Sequence, residues 1–297
     1  MTTVSVHNLT KTYGRGDIAV DAVRHVDLDI SRGEVVLIMG PSGSGKTTLL
    51  LMLGAMLRPT SGSITVDGTD LAAAAERALP PLRAEHFGFV FQDFNLLSAL
   101  DALENVELAC NLAGVHGRAA RQRGTDLLTR LGLAERLHFR PDQLSGGEKQ
   151  RVAIARALAN NAPIILADEP TANLDSGHGR EIARLLRQLA TDDGRSVIIV
   201  SHDDRLREIA DRVLWLEDGQ FRELAAMTTD PVCGMAVDTT SAFHHDHDGR
   251  SSWFCSEYCR DEFIARTAAF VSTQIAPIVS TKEDTHGEDP VRRHARH

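Results

Sequence analysis

The sequence predicts an α/β fold with a mainly parallel core sheet. Apolar, largely β-branched runs of strand length recur at 34–39, 164–167 and 196–200. A strand that is buried on both faces, as in a parallel sheet, has such a continuous apolar run. The first run leads through a glycine-rich loop into a helix-forming segment at 47–53, which is the strand–loop–helix order of α/β proteins.

Length and charge limit the classes of function. A chain of 297 residues exceeds the usual size of one domain, so we expect a large domain and a smaller one. The net charge of −9 argues against a nucleic-acid partner held mainly through phosphates. The chain begins without the pattern of a signal peptide and has no stretch with the ~18 apolar residues of a membrane span. We therefore expect a cytosolic protein, unless a partner carries it to a membrane.

Residues 1–30 alternate between apolar and polar positions in two short runs. This alternation predicts an antiparallel strand pair with one buried face. Tyr13 lies between the runs, and two interpretations of it stay open. It is either a hairpin aromatic packed on the core or a ring that stacks on a base.

Residues 40–49 contain a complete G-x-x-x-x-G-K-[ST] phosphate-binding loop, with a strand before it and a helix after it. Glycines allow several backbone N–H groups to point at one phosphate, the helix N-terminus adds partial positive charge, and Lys46 adds a full charge. A plain glycine-serine turn would not require all these positions. The residues expected to bind phosphate are Gly40, Pro41, Ser42, Gly43, Ser44, Gly45, Lys46, Thr47 and Thr48.

The middle of the chain contains an apolar strand that ends at Gln92 and a helix-favouring stretch over 103–132. The helical stretch contains no motif with catalytic or ligand-binding chemistry, so we expect it to be a contact surface. Residues 144–151 then open another helix, with Ser145 and Glu148 at capping-box spacing. Two adjacent glycines in its first turn weaken a helix by roughly 0.5–1 kcal/mol each, which indicates that another group approaches the backbone closely there.

Polar groups follow two of the apolar strands. Asp168 and Glu169 end one strand, and His202 ends the next. Ligands of parallel sheets bind at the carboxyl ends of the strands, so these groups are expected to lie near Lys46. A lone histidine is usually a solvated residue, but its position at this edge favours a functional role.

Five motifs in this order resemble the ATP-binding subunit of the ABC transporter family over about residues 3–224. They are the phosphate loop, Gln92, the 144–148 segment, the Asp168–Glu169 pair and His202. Residues 91–97 and 103–108 are similar to the subgroup that serves lipoprotein-releasing and macrolide-exporting permeases. The resemblance implies a P-loop NTPase with a mainly parallel core sheet, an antiparallel β subdomain and a helical subdomain.

The resemblance also implies the cofactors ATP and Mg²⁺ and the roles of individual residues. Lys46 and the loop would hold the β- and γ-phosphates, Glu169 would orient or deprotonate water, and His202 would contact the γ-phosphate. The implied magnesium ligands are Thr47, Gln92 and Asp168. The other implied nucleotide contacts are Tyr13, which would stack on adenine, and Ser145, Gly146, Gly147, Glu148 and Asp175.

The same resemblance implies two partners, a second copy in a head-to-tail dimer with ATP between the copies, and an integral-membrane permease of export or extraction type. The chain would then be cytoplasmic and peripheral on the inner face of the cell membrane. A soluble ABC ATPase with a regulatory role is the alternative. A pure nucleotide-binding scaffold is disfavoured because Glu169 and His202 are both present.

A change of composition near residue 227 predicts a domain boundary, since three of the four cysteines lie beyond it. We expect an ATP-binding domain at 1–226, a small C-terminal cysteine-containing α+β module at 227–273, and a disordered polar tail at 274–297. The motifs at 230–235 and 254–259 resemble the YHS domain, a short module often attached to heavy-metal transport proteins.

Cys233, Cys255 and Cys259 are expected to share a metal. Three thiols cannot form a closed set of disulfides, and a module of this size has too small a core to fold securely without a staple. Thiolates favour zinc or copper(I). One of three histidines in the middle of the module, His244, His245 or His247, could supply a fourth ligand. In the alternative interpretation the thiols are small buried hydrophobes.

Overall fold

The computed structural model describes residues 2–222, 227–233, 236–239, 242–247 and 250–273. The chain divides into two compact units, Met1–Glu223 and Leu224–His297. The predicted disordered tail at 274–297 lies outside the described residues. None of the helices in the described part of the chain combines the length and apolarity that a membrane crossing requires.

The first unit alternates strands and helices. Its strands are β1 (Thr2–Tyr13), β2 (Val20–Ser31), β3 (Val35–Met39), β4 (Ser61–Val66), β5 (Thr69–Asp70), β6 (Phe87–Val90), β7 (Ile164–Asp168), β8 (Ser196–Val200), β9 (Arg212–Glu217) and β10 (Gln220–Arg222). Its α-helices are α1 (Lys46–Leu53), α2 (Leu79–His86), α3 (Ala102–Leu112), α4 (Gly117–Arg130), α5 (Gly146–Leu158) and α6 (Ser176–Thr191).

The main sheet has the order β10-β9-β3-β8-β7-β6. Its neighbours pair in parallel except for β10, which pairs antiparallel with β9 at one edge. All five residues of β3 and of β8 are buried, and alternate residues enter two different hydrophobic clusters. This two-sided burial is the reason for the continuous apolar runs in the sequence, and the predicted parallel sheet is confirmed.

A second, antiparallel sheet has the order β2-β1-β4-β5. Strands β1 and β2 pair from Thr2 opposite Ser31 to Tyr13 opposite Val20, which confirms the strand pair predicted for residues 1–30. Their apolar side chains share a cluster with α1 and one face of the main sheet. Tyr13 is 46% exposed, so the interpretation that it packs in the core is wrong.

The stretch predicted to be helical at 103–132 forms two helices. Helix α3 begins at an Asp101 capping box, and a turn separates it from α4, with Gly114 at φ +83°. Both helices contribute to the hydrophobic cluster that includes α5. The turn interrupts the helix because a left-handed residue cannot continue it.

The second unit contains two antiparallel hairpins and a helix. The elements are β11 (Met227–Thr229), β12 (Ala236–Asp238), β13 (Phe243–His247), β14 (Arg250–Phe254) and α7 (Glu257–Thr273). Phe254 is fully buried, and its ring lies 5.2 Å from that of Phe263 on α7. The small core is therefore built between the second hairpin and the helix.

Candidate functional site

The phosphate-binding loop joins β3 to α1, and two of its glycines are required by neighbouring backbone. Gly40 has φ +149°, and a Cβ atom there would lie 2.0 Å from the Leu216 carbonyl oxygen. Gly45 has φ +99°, and its Cβ would lie 2.0 Å from the Ala22 carbonyl oxygen. These contacts pack the loop tightly against strands β2 and β9.

The loop borders a cavity of about 590 Å³ at the carboxyl edge of the main sheet. The cavity brings together most of the predicted nucleotide-binding residues. Its lining consists of Ala22, Gly40, Pro41, Ser42, Gly43, Gly45, Lys46, Thr47, Thr48, Gln92, Glu169 and His202. Ala22 was missed by the sequence analysis. Ser44 is the loop residue outside this lining; it is buried, and its hydroxyl has no hydrogen-bond partner among the residues that the structure describes.

Lys46 donates from Nζ to the carbonyl oxygens of Gly40 and Pro41, each at 2.8 Å. Burial lowers the pKa of the ammonium, although the nearby carboxylates of Glu169 and Asp168 oppose that shift. Neither carbonyl carries a full charge, so the ammonium remains available to an anion. A phosphate in the cavity would supply that anion.

Thr47 and Asp168 provide oxygen atoms for a cation. The Thr47 hydroxyl donates to Asp168 Oδ1 at 3.3 Å, and Gln92 lines the same cavity. Burial raises the pKa of Asp168, while the hydrogen bond from Thr47 opposes the shift. A hydroxyl, a carboxylate and an amide oxygen are the hard donors that Mg²⁺ prefers, so these residues fit the predicted ion.

Glu169 is held by the residues that follow β8. His202 Nδ1 lies 2.8 Å from Oε1, and the Ser201 hydroxyl donates to Oε2 at 2.6 Å. Ser201 is fully buried and also accepts a hydrogen bond from the Asp203 N–H at 3.1 Å. Glu169 itself has φ +45°, a costly conformation for a residue with a Cβ. The contacts from Ser201 and His202 therefore keep this carboxylate in one orientation.

Ser201 was not predicted as a site residue. The available signal was its position immediately before His202 at the end of an apolar strand. A single serine has no distinguishing local pattern, and only the pairing of β7 with β8 brings its hydroxyl to Glu169.

The segment at 144–148 starts helix α5 and lies away from the cavity. Ser145 Oγ accepts from the Glu148 N–H at 3.3 Å, and Glu148 Oε2 accepts from the Ser145 N–H at 2.8 Å, which confirms the predicted capping box. A Cβ on Gly147 would lie 2.8 Å from the His178 ring, and one on Gly146 would contact Leu174 at 3.3 Å. None of the four predicted residues from Ser145 to Glu148 lines the cavity.

Asp175 and Tyr13 also lie outside the cavity lining. Asp175 is the N-cap of α6 and accepts from the His178 ring at 2.6 Å. Hydrogen bonds from His178 lower the pKa of Asp175 to about 2 and, in return, the pKa of His178 is raised. The ammonium of Lys11 lies 5.3 Å from the centre of the Tyr13 ring.

A second concavity, which we call the groove, has a volume of about 770 Å³. It is formed by residues of α2, β6, α3 and α5 and by the segment after β6. Its lining is Met56, Pro80, Pro81, Arg83, Ala84, Phe87, Gly88, Phe89, Phe91, Asn95, Ala109, Leu112, Ala113, Arg156, Ala157 and Asn160. Leu112 is 76% exposed and Met56 is 47% exposed, so the groove presents large apolar side chains to solvent.

In the second unit the three cysteines predicted to share a metal lie together. Cys255 Sγ is 3.5 Å from Cys233 Sγ and 3.7 Å from Cys259 Sγ, and all three are free thiols. Cys255 precedes helix α7 and Cys259 lies in its first turn. Hydrogen bonding to Asp230 and Cys233 raises the pKa of Cys255 to about 12.

The fourth potential ligand in this cluster is Asp230. One oxygen of its carboxylate and the three sulfur atoms lie within 4.8 Å of one another. Neither His244 nor His245 belongs to this group, and the side chain of His247 lies outside the described residues. Asp230 is fully buried and accepts from the backbone N–H groups of Val232 at 2.8 Å and Cys255 at 2.9 Å. The signal for it was an Asp-Pro turn before the first cysteine.

Comparison with known proteins agrees with this geometry. The family model described as ABC transporter matches residues 23–172. The macrolide export ATP-binding/permease protein MacB of Bartonella henselae is 46% identical over 216 residues, which is 73% of this chain and 33% of that protein. The protein of the same name from Rhodopseudomonas palustris strain HaA2 is 49% identical over 217 residues, with the same two shares. The chain thus spans about a third of the length of these curated relatives.

Two solved structures of an ATP-binding cassette, MJ0796, are similar to this chain. One is a dimer in a post-hydrolysis state bound to ADP and phosphate, and the other is described as a dimer of a bacterial ABC transporter cassette. Each is 43% identical, has a TM-score of 0.69, and covers 74% of this chain and 97% of its own.

Proposed function

Because this chain belongs to the ABC transporter family and its first unit is an ATP-hydrolysing domain of that family, we propose that it powers a membrane permease outside this sequence. The substrate would be exported or extracted from the membrane. One observation carries the proposal: the phosphate loop, Gln92 and the Glu169–His202 pair line one cavity, and Asp168, outside this lining, accepts a hydrogen bond from Thr47 of the loop. The MacB relatives, whose name joins an ATP-binding and a permease function, support the transport role.

In the proposed reaction the loop backbone and Lys46 hold the β- and γ-phosphates. Thr47, Gln92 and Asp168 hold Mg²⁺, which would neutralise charge on the phosphates. Phosphoryl transfer depends on positioning and charge neutralisation more than on covalent chemistry. Glu169 orients or deprotonates the attacking water.

His202 and Ser201 fix the direction of the Glu169 carboxylate through contacts of 2.8 and 2.6 Å. We propose that His202 also reaches the γ-phosphate, since it lines the same cavity. Tyr13 is half-exposed, and we propose that its ring stacks on adenine beside the Lys11 ammonium, which lies 5.3 Å from the ring centre.

The predicted residues from Ser145 to Glu148 and Asp175, which lie outside the cavity lining, would act on the nucleotide of a second copy. Ser145, Gly146 and Gly147 occupy the start of α5, where backbone N–H groups and the helix dipole favour an anion. Glu148 supports this turn by capping it, and Asp175 does the same for α6. In a head-to-tail dimer, the starts of α5 and α6 of one copy would cover the ATP bound to the other copy. This arrangement would account for their position outside the cavity of their own chain. The dimeric state of the similar cassette supports this arrangement.

The dimer is tested by sizing the purified Glu169→Gln chain, which should retain ATP. We expect a dimer with ATP and Mg²⁺ and a monomer without nucleotide. A Lys46→Ala variant is the control, because it should lose the phosphate contact and stay monomeric. If Glu169→Gln stays monomeric at ATP concentrations that saturate it, the dimer is not an intrinsic property of the chain.

We propose that a cytoplasmic helical segment of the permease docks in the groove. The groove is apolar and open to solvent, and Phe91 in its wall directly precedes Gln92, so a docked segment would lie next to a residue of the ATP site. Such a partner would hold the domain at the inner face of the cell membrane.

Membrane association in the native host tests this surface. Leu112→Asp places a charge at the groove, and Leu108→Asp is a matched control, since Leu108 lies on the same helix, is 40% exposed and is absent from the groove lining. We expect the parent and the Leu108→Asp chain to sediment with membranes and the Leu112→Asp chain to be released. A parent chain that never sediments with membranes would favour the regulatory alternative.

For the second unit we propose a YHS-like module at 227–273 that binds zinc or copper(I) through Cys233, Cys255 and Cys259. Sulfur separations of 3.5 and 3.7 Å allow one ion to reach all three atoms, because Zn–S bonds are about 2.3 Å long. Asp230 would hold the two cysteine-bearing segments together, since its carboxylate accepts from N–H groups of both. The boundary between the ATP-binding domain at 1–226 and this module is part of the same proposal.

Metal analysis after anaerobic purification tests the module. The parent should contain about one ion per chain, and a Cys255→Ser/Cys259→Ser variant should contain almost none. Cys110→Ala is the control, because Cys110 is buried in the first unit and should leave the metal content unchanged. Equal substoichiometric metal in the parent and the double variant would remove the metal from the proposal.

A further inference from the structure

The turn that follows His202 contains two neighbouring arginine–aspartate pairs, and they differ in exposure. In the outer pair Arg207 Nε donates to Asp204 Oδ1 at 2.8 Å, and the Asp204 side chain is 70% exposed. In the inner pair Arg205 Nε donates to Asp203 Oδ1 at 2.8 Å, and Nη2 donates to Oδ2 at 2.7 Å. The Asp203 side chain is only 14% exposed. The inner pair is therefore a two-point ion pair shielded from water, which is a stronger contact than an exposed pair.

Asp203 joins the segments that follow β7 and β8. Its Oδ2 also accepts from the Thr171 hydroxyl at 2.5 Å, and Thr171 is 1% exposed and lies two residues after Glu169. The N–H of Asp203 donates to Ser201 Oγ at 3.1 Å, and the Ser201 hydroxyl donates to Glu169 Oε2. Asp203 is thus linked to the surroundings of Glu169 by two routes, one through its side chain and one through its backbone.

The carboxylate of Asp203 needs an opposite charge in this shielded position. Burying a charged group is costly unless the group is paired and hydrogen-bonded. Burial raises the pKa of Asp203, but the hydrogen bonds from Arg205 and Thr171 outweigh that effect and hold the pKa below its usual value. Without the guanidinium the carboxylate would turn towards solvent or take up a proton. Either change would disturb its hydrogen bond with Thr171 and the turn that contains Ser201.

Helix α6 leaves room for the guanidinium. Gly179 is a buried residue of α6, and a Cβ atom there would lie 2.8 Å from Nη1 and 3.1 Å from Cζ of Arg205. Glycine weakens the interior of a helix more than any residue except proline, so its presence here needs a packing reason. The close approach of Arg205 supplies that reason. The guanidinium therefore fits between Asp203 and the backbone of α6.

We propose that Arg205 is a positioning residue for ATP hydrolysis. By fixing Asp203, it keeps the Ser201 hydroxyl directed at the Glu169 carboxylate, which must point at the attacking water. Arg205 does not line the cavity, so it acts through other groups and should affect turnover rather than ATP binding. The inference rests on the proposed function, because it concerns the orientation of the residue that is proposed to activate water.

The assay is steady-state ATP hydrolysis by the purified full-length chain, with ATP affinity and melting temperature measured for each variant. Arg205→Gln removes the charge and the two-point contact. We expect kcat to fall roughly fivefold or more, with KM and ATP affinity within about twofold of the parent. Arg205→Lys keeps the charge and should retain more of the kcat than the glutamine variant. Arg207→Gln is the matched control, because it removes the exposed pair of the same turn, and it should keep the kcat of the parent.

A second variant disturbs the same guanidinium from the side of α6. Gly179→Ala leaves Arg205 and Asp203 in place but puts a methyl group against the guanidinium. Alanine favours a helix over glycine, so a lower kcat in this variant cannot come from a weakened α6. We expect Gly179→Ala to lower kcat, and the double variant with Arg205→Gln to be no slower than Arg205→Gln alone.

Combining Arg205→Gln with Ser201→Ala should lower kcat by less than the product of the two single effects, because both act through the Glu169 carboxylate. The pair has only a structural role if Arg205→Gln lowers the melting temperature but keeps kcat within about twofold of the parent. Equal losses of kcat in Arg205→Gln and Arg207→Gln, or independent effects of Arg205→Gln and Ser201→Ala, would also contradict the proposal.

Glu169→Gln is measured in the same assay, so that a failure of the proposed function can be told apart from a failure of this inference. If Glu169→Gln hydrolyses ATP at nearly the rate of the parent, the proposed role of Glu169 is wrong. If Glu169→Gln loses its turnover while Arg205→Gln and Gly179→Ala keep theirs, only the role of Arg205 is wrong.

Discussion

Ser201→Ala should slow ATP hydrolysis without weakening ATP binding. The hydroxyl that is removed donates to Glu169 Oε2 at 2.6 Å in a fully buried position. A hydrogen bond to a charged group contributes about 1.5–3 kcal/mol. His202 still holds the other oxygen, so we take the lower end, ~1.5 kcal/mol, which corresponds to roughly a tenfold lower kcat.

The assay is steady-state ATP hydrolysis by the purified chain, with ATP affinity measured by equilibrium titration. Ser196→Ala is the matched control. Ser196 is the first residue of β8, whereas Ser201 directly follows its last residue. Ser196 is equally buried and donates to the Ser31 carbonyl at 2.9 Å. The Ser196→Ala variant should lose about as much folding stability as Ser201→Ala but keep the kcat of the parent. Ser201→Thr keeps a hydroxyl and should recover most of the activity.

A purely structural role for Ser201 would give a different result. It also accepts from the Asp203 N–H, so the alanine variant is expected to be somewhat less stable. If Ser201→Ala lowers kcat by less than twofold, or if Ser196→Ala lowers it equally, the serine does not position Glu169. A rise in KM with unchanged kcat would also refute the reasoning, because a loss of uniform binding has that signature.

Three further predictions concern the base, the start of α6 and the packing of the main sheet. Glu169→Gln should retain ATP affinity and lose most turnover; a rate within about threefold of the parent, under roughly 1 kcal/mol of barrier, would contradict its role. The pKa of His178 is raised by its pairing with Asp175. The pairing therefore stabilises the fold fully below the ordinary histidine pKa of about 6.5, and this stabilisation is lost as pH rises through the pKa of the folded state. The melting temperature of the parent should exceed that of His178→Gln by more at pH 6 than at pH 9, and an equal difference at the two pH values would refute this. Gly88→Ala would place a Cβ 2.1 Å from the Ala157 carbonyl oxygen, so the free energy of unfolding measured in urea should fall by ~1–3 kcal/mol. An unchanged free energy of unfolding would contradict this, because it would mean that β6 and α5 can move apart without cost.

The predictions that the structure confirms depend on short-range patterns. Period-two alternation in the first 30 residues and continuous apolar runs later determine strand type, since burial of one or both faces acts on each residue directly. The capping box at Ser145 and Glu148 is equally local, because both partners lie within one helical turn. The phosphate loop has its context within a single strand–loop–helix unit.

The meeting of Lys46, Glu169 and His202 at one cavity was also predictable from the sequence, because parallel strands end at the same edge of a sheet. The contacts around these residues were not predictable. The bond from Ser201 to Glu169 requires β8 to lie beside β7, and Ala22 enters the cavity from the other sheet. Strand order depends on the packing of the whole domain, which single segments do not encode.

The sequence alone therefore determined the class of fold, the phosphate loop and the acidic strand end. The tertiary structure decided which distant groups became neighbours: Asp230 beside Cys255, and Arg156 beside Phe94 in a groove without acids. Both pairs join segments far apart in the chain, and their partners are common residue types with no distinguishing local pattern. Such contacts are set by how the chain closes its loops and buries its core as a whole.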